Sequence, residues 1–534
     1  MNTVPATLPA NAPPPPNNSA HRSVILATDI QSVAQIGPQA WADAFRWPVS
    51  DAEFRELCDG LLQALGAVHA RCNGALADAL LADGFGWVTQ LAHAAVVSRR
   101  CEEYGWKLLR GEFSGPFFAP DWGRLGRAHV ATLKASAWTF RARRVARNLV
   151  QNPHMPPRGR LRSFLRPDAL ALGSASVLRS AYVLGEQLLV DHTYPGLLSR
   201  GWARQTSLED RHESLRELCI AAVSFLETRF GVRMHLDGLY QALSARIATL
   251  MALHGAAQAV SRALPLLVTE SARPVHKAVA TGWRAGAGTS VGFHHGHSAG
   301  EIDMPGRPYT EFYSYDEFVC PSVASRDSFA GLYARSGLAE RHTVTFRQPR
   351  GPAEPGSRAP RSARAARPVR QVMVMGFPMN AIRYGHLNGT FWAPQLELEI
   401  RLARLLRQRG FEVLYKVHPE VPEPASTILR SLGCEVLPQP LEQVIDRADA
   451  FIIKYSASTT FVPILLTDAP IYFIDVERPL WKPAYDELLR KRCFVLDACE
   501  DDSGRIVFDE QMLLDRLDEP WSVVDHSFTE RFHA

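Results

Sequence analysis

Between residues 371 and 474 the chain alternates short apolar runs with longer stretches in which apolar residues recur every three or four positions. Gln371-Val-Met-Val-Met375, Phe411-Glu-Val-Leu-Tyr415, Glu435-Val-Leu437, Ala450-Phe-Ile-Ile453 and Ile471-Tyr-Phe-Ile474 read as strands. Runs this short and this continuously apolar suit a sheet buried on both faces. The stretches 394–409, 424–432, 441–447 and 458–466 read as helices, with Gly410 placed to cap the first. Strands and helices in regular alternation predict a parallel, doubly wound sheet.

Upstream the texture is different. From about residue 38 to 150, and again over 207–262, the spacing is helical, as in Phe54, Leu57, Leu61, Leu62 and Leu65. Ser23-Val-Ile-Leu-Ala-Thr28 reads as an isolated first strand. Leu264 to Thr269, a helix over 275–284, the glycines 286 and 288, and Ser290 to Phe293 make a strand–helix–strand unit. Glu317 to Cys320 with a helix over 325–333 repeats it. The predicted fold is α/β, with two lobes of this doubly wound kind and a large helical N-terminal portion.

Residues 1–20, with Pro13 to Pro16 in a row, read as a disordered, polyproline-like tail. Residues 347–370 hold seven arginines among Pro, Gly, Ala and Ser, and a single acid, Glu354. They read as a basic linker between an N-terminal lobe, 21–346, and a C-terminal lobe, 371–534. A solvated connector is the plainer role for it. Contact with an anionic membrane surface is the sharper one.

Composition narrows the class. A net charge of +4 over 534 residues does not mark a nucleic-acid binder. The eight cysteines include no C-x-x-C pair and sit mostly in apolar runs, which suits buried thiols in a reducing compartment. No apolar run reaches the roughly 18 residues of a spanning helix. The expected location is cytoplasmic, at most peripheral to the inner membrane.

Candidate chemistry sits where strands end. Lys416-Val-His418-Pro419 follows one strand, and Pro419 keeps His418 out of a helical conformation. Lys454-Tyr-Ser456-Ala-Ser458-Thr459-Thr460 follows another, with four hydroxyls where a helix cap needs one. Hydroxyls, amide groups and a helix dipole together would cradle a phosphate. In the N-terminal lobe Phe293 leads into His294-His295-Gly296-His297. These histidines are open to three readings: proton transfer, ordinary loop residues, or a metal cluster with Glu301 and Asp303. Glu301, Asp303 and Glu311 are reserve candidates for a catalytic base.

The Lys416/His418/Pro419 motif paired with Ser456, Ser458, Thr459 and Thr460 resembles GT-B-fold transferases of bacterial surface polysaccharides. These include 3-deoxy-manno-octulosonic acid (Kdo) transferases, sialyltransferases with an HP motif, and CDP-glycerol glycerophosphotransferases. The resemblance covers about residues 260–500. It implies two Rossmann-type lobes, a C-terminal lobe that grips the donor phosphates through those residues, and no metal or bound cofactor. It implies a nucleotide-sugar donor, CMP-Kdo-like, and a glycan or glycolipid acceptor. From the His-Gly motif it implies His295 as the base. A CDP-glycerol-type polyol-phosphate transferase and a non-catalytic binding or assembly protein are the alternatives. Lys454 departs from the pattern, which has an acid there; a lysine would itself favour phosphate.

Overall fold

The computed structural model describes residues 24–111, 115–126, 166–173, 190–191, 213–269, 271–294, 300–348, 368–377, 392–418, 423–456, 460–476, 481–519 and 524–532. Two six-stranded sheets, each parallel throughout, organise it.

A two-stranded piece comes first in the chain. Strand β1 (Ile25–Ala27) pairs with β2 (Lys107–Leu109) and joins neither large sheet. The N-terminal sheet is built from β3 (Ala169–Leu172), β4 (Val190–Asp191), β5 (Pro265–Val268), β6 (Thr289–Phe293), β7 (Glu317–Val319) and β8 (Thr345–Arg347). Their order across the sheet is β4-β3-β5-β6-β7-β8. The C-terminal sheet contains β9 (Gln371–Met375), β10 (Glu412–Lys416), β11 (Glu435–Leu437), β12 (Ala450–Ile453), β13 (Ile471–Asp475) and β14 (Phe494–Asp497). Its order is β11-β10-β9-β12-β13-β14, so the direction of winding reverses between β9 and β12.

The C-terminal strands are apolar along their middles, with polar residues at their ends, because both faces are covered. Val372, Val374, Val413, Tyr415, Ala450 and Ile452 belong to one core, shared with helices Trp392–Arg409 and Glu423–Ser431. Met373, Met375, Leu414, Phe451 and Ile453 belong to a second, with Leu441, Phe461, Leu489 and Phe528. Helix Trp392–Arg409 closes as expected at Gly410, where Phe411 N–H reaches Leu406 O at 3.0 Å and Gly410 N–H reaches Arg407 O at 3.1 Å. This is the paired terminal bonding of a Schellman end.

The helical N-terminal portion packs as a layer of long helices, chiefly Asp51–His69, Phe85–Tyr104, Glu213–Phe230 and Leu236–Val260. Its stretch before Asp51 crosses to the other lobe. Trp41 lies parallel to Trp392 at 6.4 Å, Trp47 N–H donates to Ser503 O at 2.9 Å, and Arg505 donates to Ala42 O. The C-terminal helix Ser527–Phe532 crosses back, with Phe532 stacked 3.8 Å from Tyr485 and the helix packed against Val323–Ala334.

Several expectations change. Strands β3, β4, β8 and β14 were not foreseen. Ser23 to Thr28 shortens to β1. Arg347 belongs to β8, where it pairs with Glu317 at 2.6 Å, so it is part of the sheet and not of the linker. The proline-rich tail and linker residues 349–367 lie outside the described residues. All eight cysteines are free thiols, and only Cys499 is exposed. No helix among the described residues is long and apolar enough to cross a membrane.

Candidate functional site

The reversal between β9 and β12 opens a crevice at their carboxyl ends, the place where open α/β sheets bind ligands. Registry brings both predicted motifs there. Lys416 pairs with Met375 on one side of β9, and Ile452 pairs with Val374 on the other. Residues 416–418 and 454–456 therefore flank the end of β9, about two strand spacings or roughly 10 Å apart. Gly376 makes this closeness possible. A Cβ there would lie 2.6 Å from the Tyr415 hydroxyl and 2.8 Å from Lys416 O.

Lys416 is buried, and its ammonium donates to Val417 O at 2.7 Å. Burial lowers its pKa, opposed by Glu442. His418 follows, half-buried, beyond the strand end. Ser456 is buried immediately after β12. Thr460 occupies the N-cap position of helix Phe461–Leu465 without a capping bond from its side chain. Pro419, Ser458 and Thr459 lie outside the described residues. The helix after this cluster is five residues long, shorter than the 458–466 expected, so its dipole adds less to anion binding than a full helix would.

Lys454 is a correction. Its ammonium is not presented to a ligand but buried against the Glu399 carboxylate, and it also donates to Met375 O at 2.7 Å. Glu399 further accepts Phe377 N–H at 2.8 Å and the Tyr415 hydroxyl at 2.6 Å. One carboxylate on helix Trp392–Arg409 thus ties together the ends of β9, β10 and β12. Burial pushes Glu399 up and Lys454 down from their ordinary ranges, and the contact between them opposes both shifts. Sequence reasoning missed Glu399. The available signal was an acid on the same helical stripe as Leu396 and Ala403, which are both buried.

In the N-terminal lobe His294 ends β6 and turns inward. Its ring lies 5.0 Å from that of Phe329, and its Nδ1 is 3.6 Å from Glu311. Glu311 also meets Arg307 at 3.6 Å, on the π-helical turn Pro308–Phe312. His295 and His297 lie outside the described residues, among which no cluster of three or more metal-ligating side chains occurs. Glu301 and Asp303 lie on a seam between the lobes. Ile302 bridges Trp481, and Lys482 N–H donates to Glu301 O at 3.0 Å. Asp303 is paired with Lys482 at 3.1 Å and Arg335 at 3.4 Å.

Chemically, the C-terminal crevice offers a buried cation, a histidine and small hydroxyl residues on a rigid base, a set suited to phosphate oxygens. Comparison of the chain with protein-family models, characterised proteins and solved structures finds no match.

Proposed function

We propose that the chain is a metal-independent glycosyltransferase of the GT-B type. It would move a sugar from a cytidine-linked, Kdo-like donor to a surface glycan or glycolipid. The observation that carries this reading is the strand order β11-β10-β9-β12-β13-β14, which sets Lys416–His418 and Ser456 on either side of the end of β9. The second parallel sheet and the return of helix Ser527–Phe532 to the N-terminal lobe support it at the level of architecture. Fold alone would not suffice, since one fold hosts many activities.

In this reading His418, Lys416 and the hydroxyl cluster hold the donor phosphates. Their contacts strengthen as charge builds on the departing nucleotide, which is where binding accelerates reaction. The base is assigned to His295 from the resemblance. Asp303 is paired with Lys482 and Arg335, and Glu311 meets Arg307.

Calorimetric titration of CMP, CDP, UDP and GDP into the protein and its His418→Ala and Ser456→Ala variants tests the site. One nucleotide should bind, and each variant should weaken it about tenfold or more, the loss of one charge-assisted hydrogen bond. Absence of binding by all four, or equal affinity in the variants, would remove the donor site from this crevice.

A further inference from the structure

The N-terminal sheet reverses its winding between β3 and β5, and two hydroxyls at that point have no hydrogen-bond partner. Thr269 and Ser271 follow β5, and each is 1% exposed. Thr269 Oγ1 and Ser271 Oγ are both unpartnered. Buried hydroxyls in folded proteins nearly always find a partner, so two within three residues call for an explanation. The backbone around them is well tied. Thr269 N–H donates to Leu172 O at 3.0 Å, the His276 ring meets Thr269 O at 3.1 Å, and the Tyr315 hydroxyl donates to Ser271 O at 2.9 Å. The backbone of Thr269 and Ser271 is therefore held in place, while their hydroxyls are unpartnered.

Their surroundings point to a charge. Gly173 ends β3 at φ +104, and a Cβ placed on it would fall 2.3 Å from Thr269 Oγ1. That hydroxyl thus lies against the end of β3, so close that no side chain at 173 could be accommodated. Helix Pro274–Ala285 follows, 12 residues long, with Pro274 at its start and no capping bond from the side chain of its N-cap residue, Arg273. Hydroxyl donors beside a helix N-terminus at a topological switch suit an anion.

We propose that this switch point is a second anion site, separate from the nucleotide crevice, that takes a phosphate or carboxylate. Its existence does not depend on the donor reading; only naming the anion as part of the acceptor does. Calorimetry with inorganic phosphate and with acetate, in the presence of saturating CMP, tests it on the full chain and on a Thr269→Val, Ser271→Ala double variant. Phosphate, acetate or both should bind the wild type, and the pair distinguishes a phosphorylated from a carboxylated source. The double variant should lose about tenfold or more in anion affinity. CMP affinity should stay unchanged. The unfolding temperature without ligand should hold or rise, because an unpaired buried hydroxyl is itself a cost.

Thr269→Ser should retain binding, and Ser271→Ala alone carries the test if the double variant does not fold. Equal anion affinity in wild type and variants would overturn the proposal. So would binding of a neutral sugar in place of either anion. Should CMP fail to bind, the wild-type-to-variant comparison still decides this site and only the donor crevice is lost.

Discussion

Glu399 joins three segments of the C-terminal lobe through one carboxylate. Its carboxylate has three donors on three different segments, all buried. Removing one partner of such a pair leaves a buried charge unmatched, at about 3–5 kcal/mol, whereas replacing both is often nearly neutral. Lys454→Met alone should therefore destabilise the protein strongly. Lys454→Met with Glu399→Gln should recover much of the loss, because the amide oxygen can still accept from Tyr415 and Phe377. Chemical denaturation of the two singles and the double checks this. Additive losses would show that the two side chains do not act as a pair. Nucleotide affinity should follow the same pattern, since the pair fixes the strand ends that flank the crevice.

At the scale of elements, the first turn of helix Asp51–His69 is joined to the hairpin of Cys499–Glu500 and Ile506–Val507. Ser50 and Glu53 form a capping box, and Asp51 N–H donates to Glu500 Oε2 at 2.7 Å. Burial pushes the Glu500 carboxyl up to about 7. The Asp51 amide opposes that shift, while the charges of Asp51, Glu53 and Asp501 add to it. Arg55 and Arg100 face Asp51 and Glu53. A carboxyl whose folded pKa is raised binds its proton more tightly folded than unfolded. Its contribution is full below the unfolded value near 4.5 and is lost as pH rises through about 7. Melting curves should show stability falling across that window, as burial of the ionised carboxylate becomes a cost, and Glu500→Gln should flatten the dependence and raise the midpoint at pH 7.5. An unchanged slope in the variant would assign the dependence to other groups.

Across the whole molecule, the two sheets are not independent. The segment before Asp51 covers part of the C-terminal lobe, helix Ser527–Phe532 covers part of the N-terminal one, and residues 301–303 meet 481–482 between them. Trp41 is 5% exposed and stacks on Trp392, although 351 residues separate them in the chain. Trp41→Ala should cost about 3–5 kcal/mol, the usual range for emptying a large aromatic from a core. Because the lost contact belongs to both lobes, the whole denaturation curve should shift. An early separate transition for the C-terminal lobe would show that the lobes unfold independently.

The C-terminal sheet was largely legible because its strands are apolar on both faces and long enough to read, as in Val372 to Met375 and Phe451 to Ile453. So were the ends of β10 and β12, where Lys416, His418 and Ser456 follow directly on those runs. Strands β3 and β4 were not. Ala-Leu-Ala-Leu at 169–172 is as good a helix as a strand, and β4 has only two residues, so pairing with β5 and with each other decides them. The order of strands was equally hidden. In sequence β10 and β12 are separated by β11, yet in the sheet they lie on either side of β9. The role of Lys454 reversed for the same reason. A lysine after a strand reads as a free cation until a carboxylate 55 residues earlier is brought against it. Local pattern determined which segments become strands and where polar groups stand at their ends. Long-range packing alone decided which ends meet, because a buried charge is matched only by whatever partner the fold carries to it.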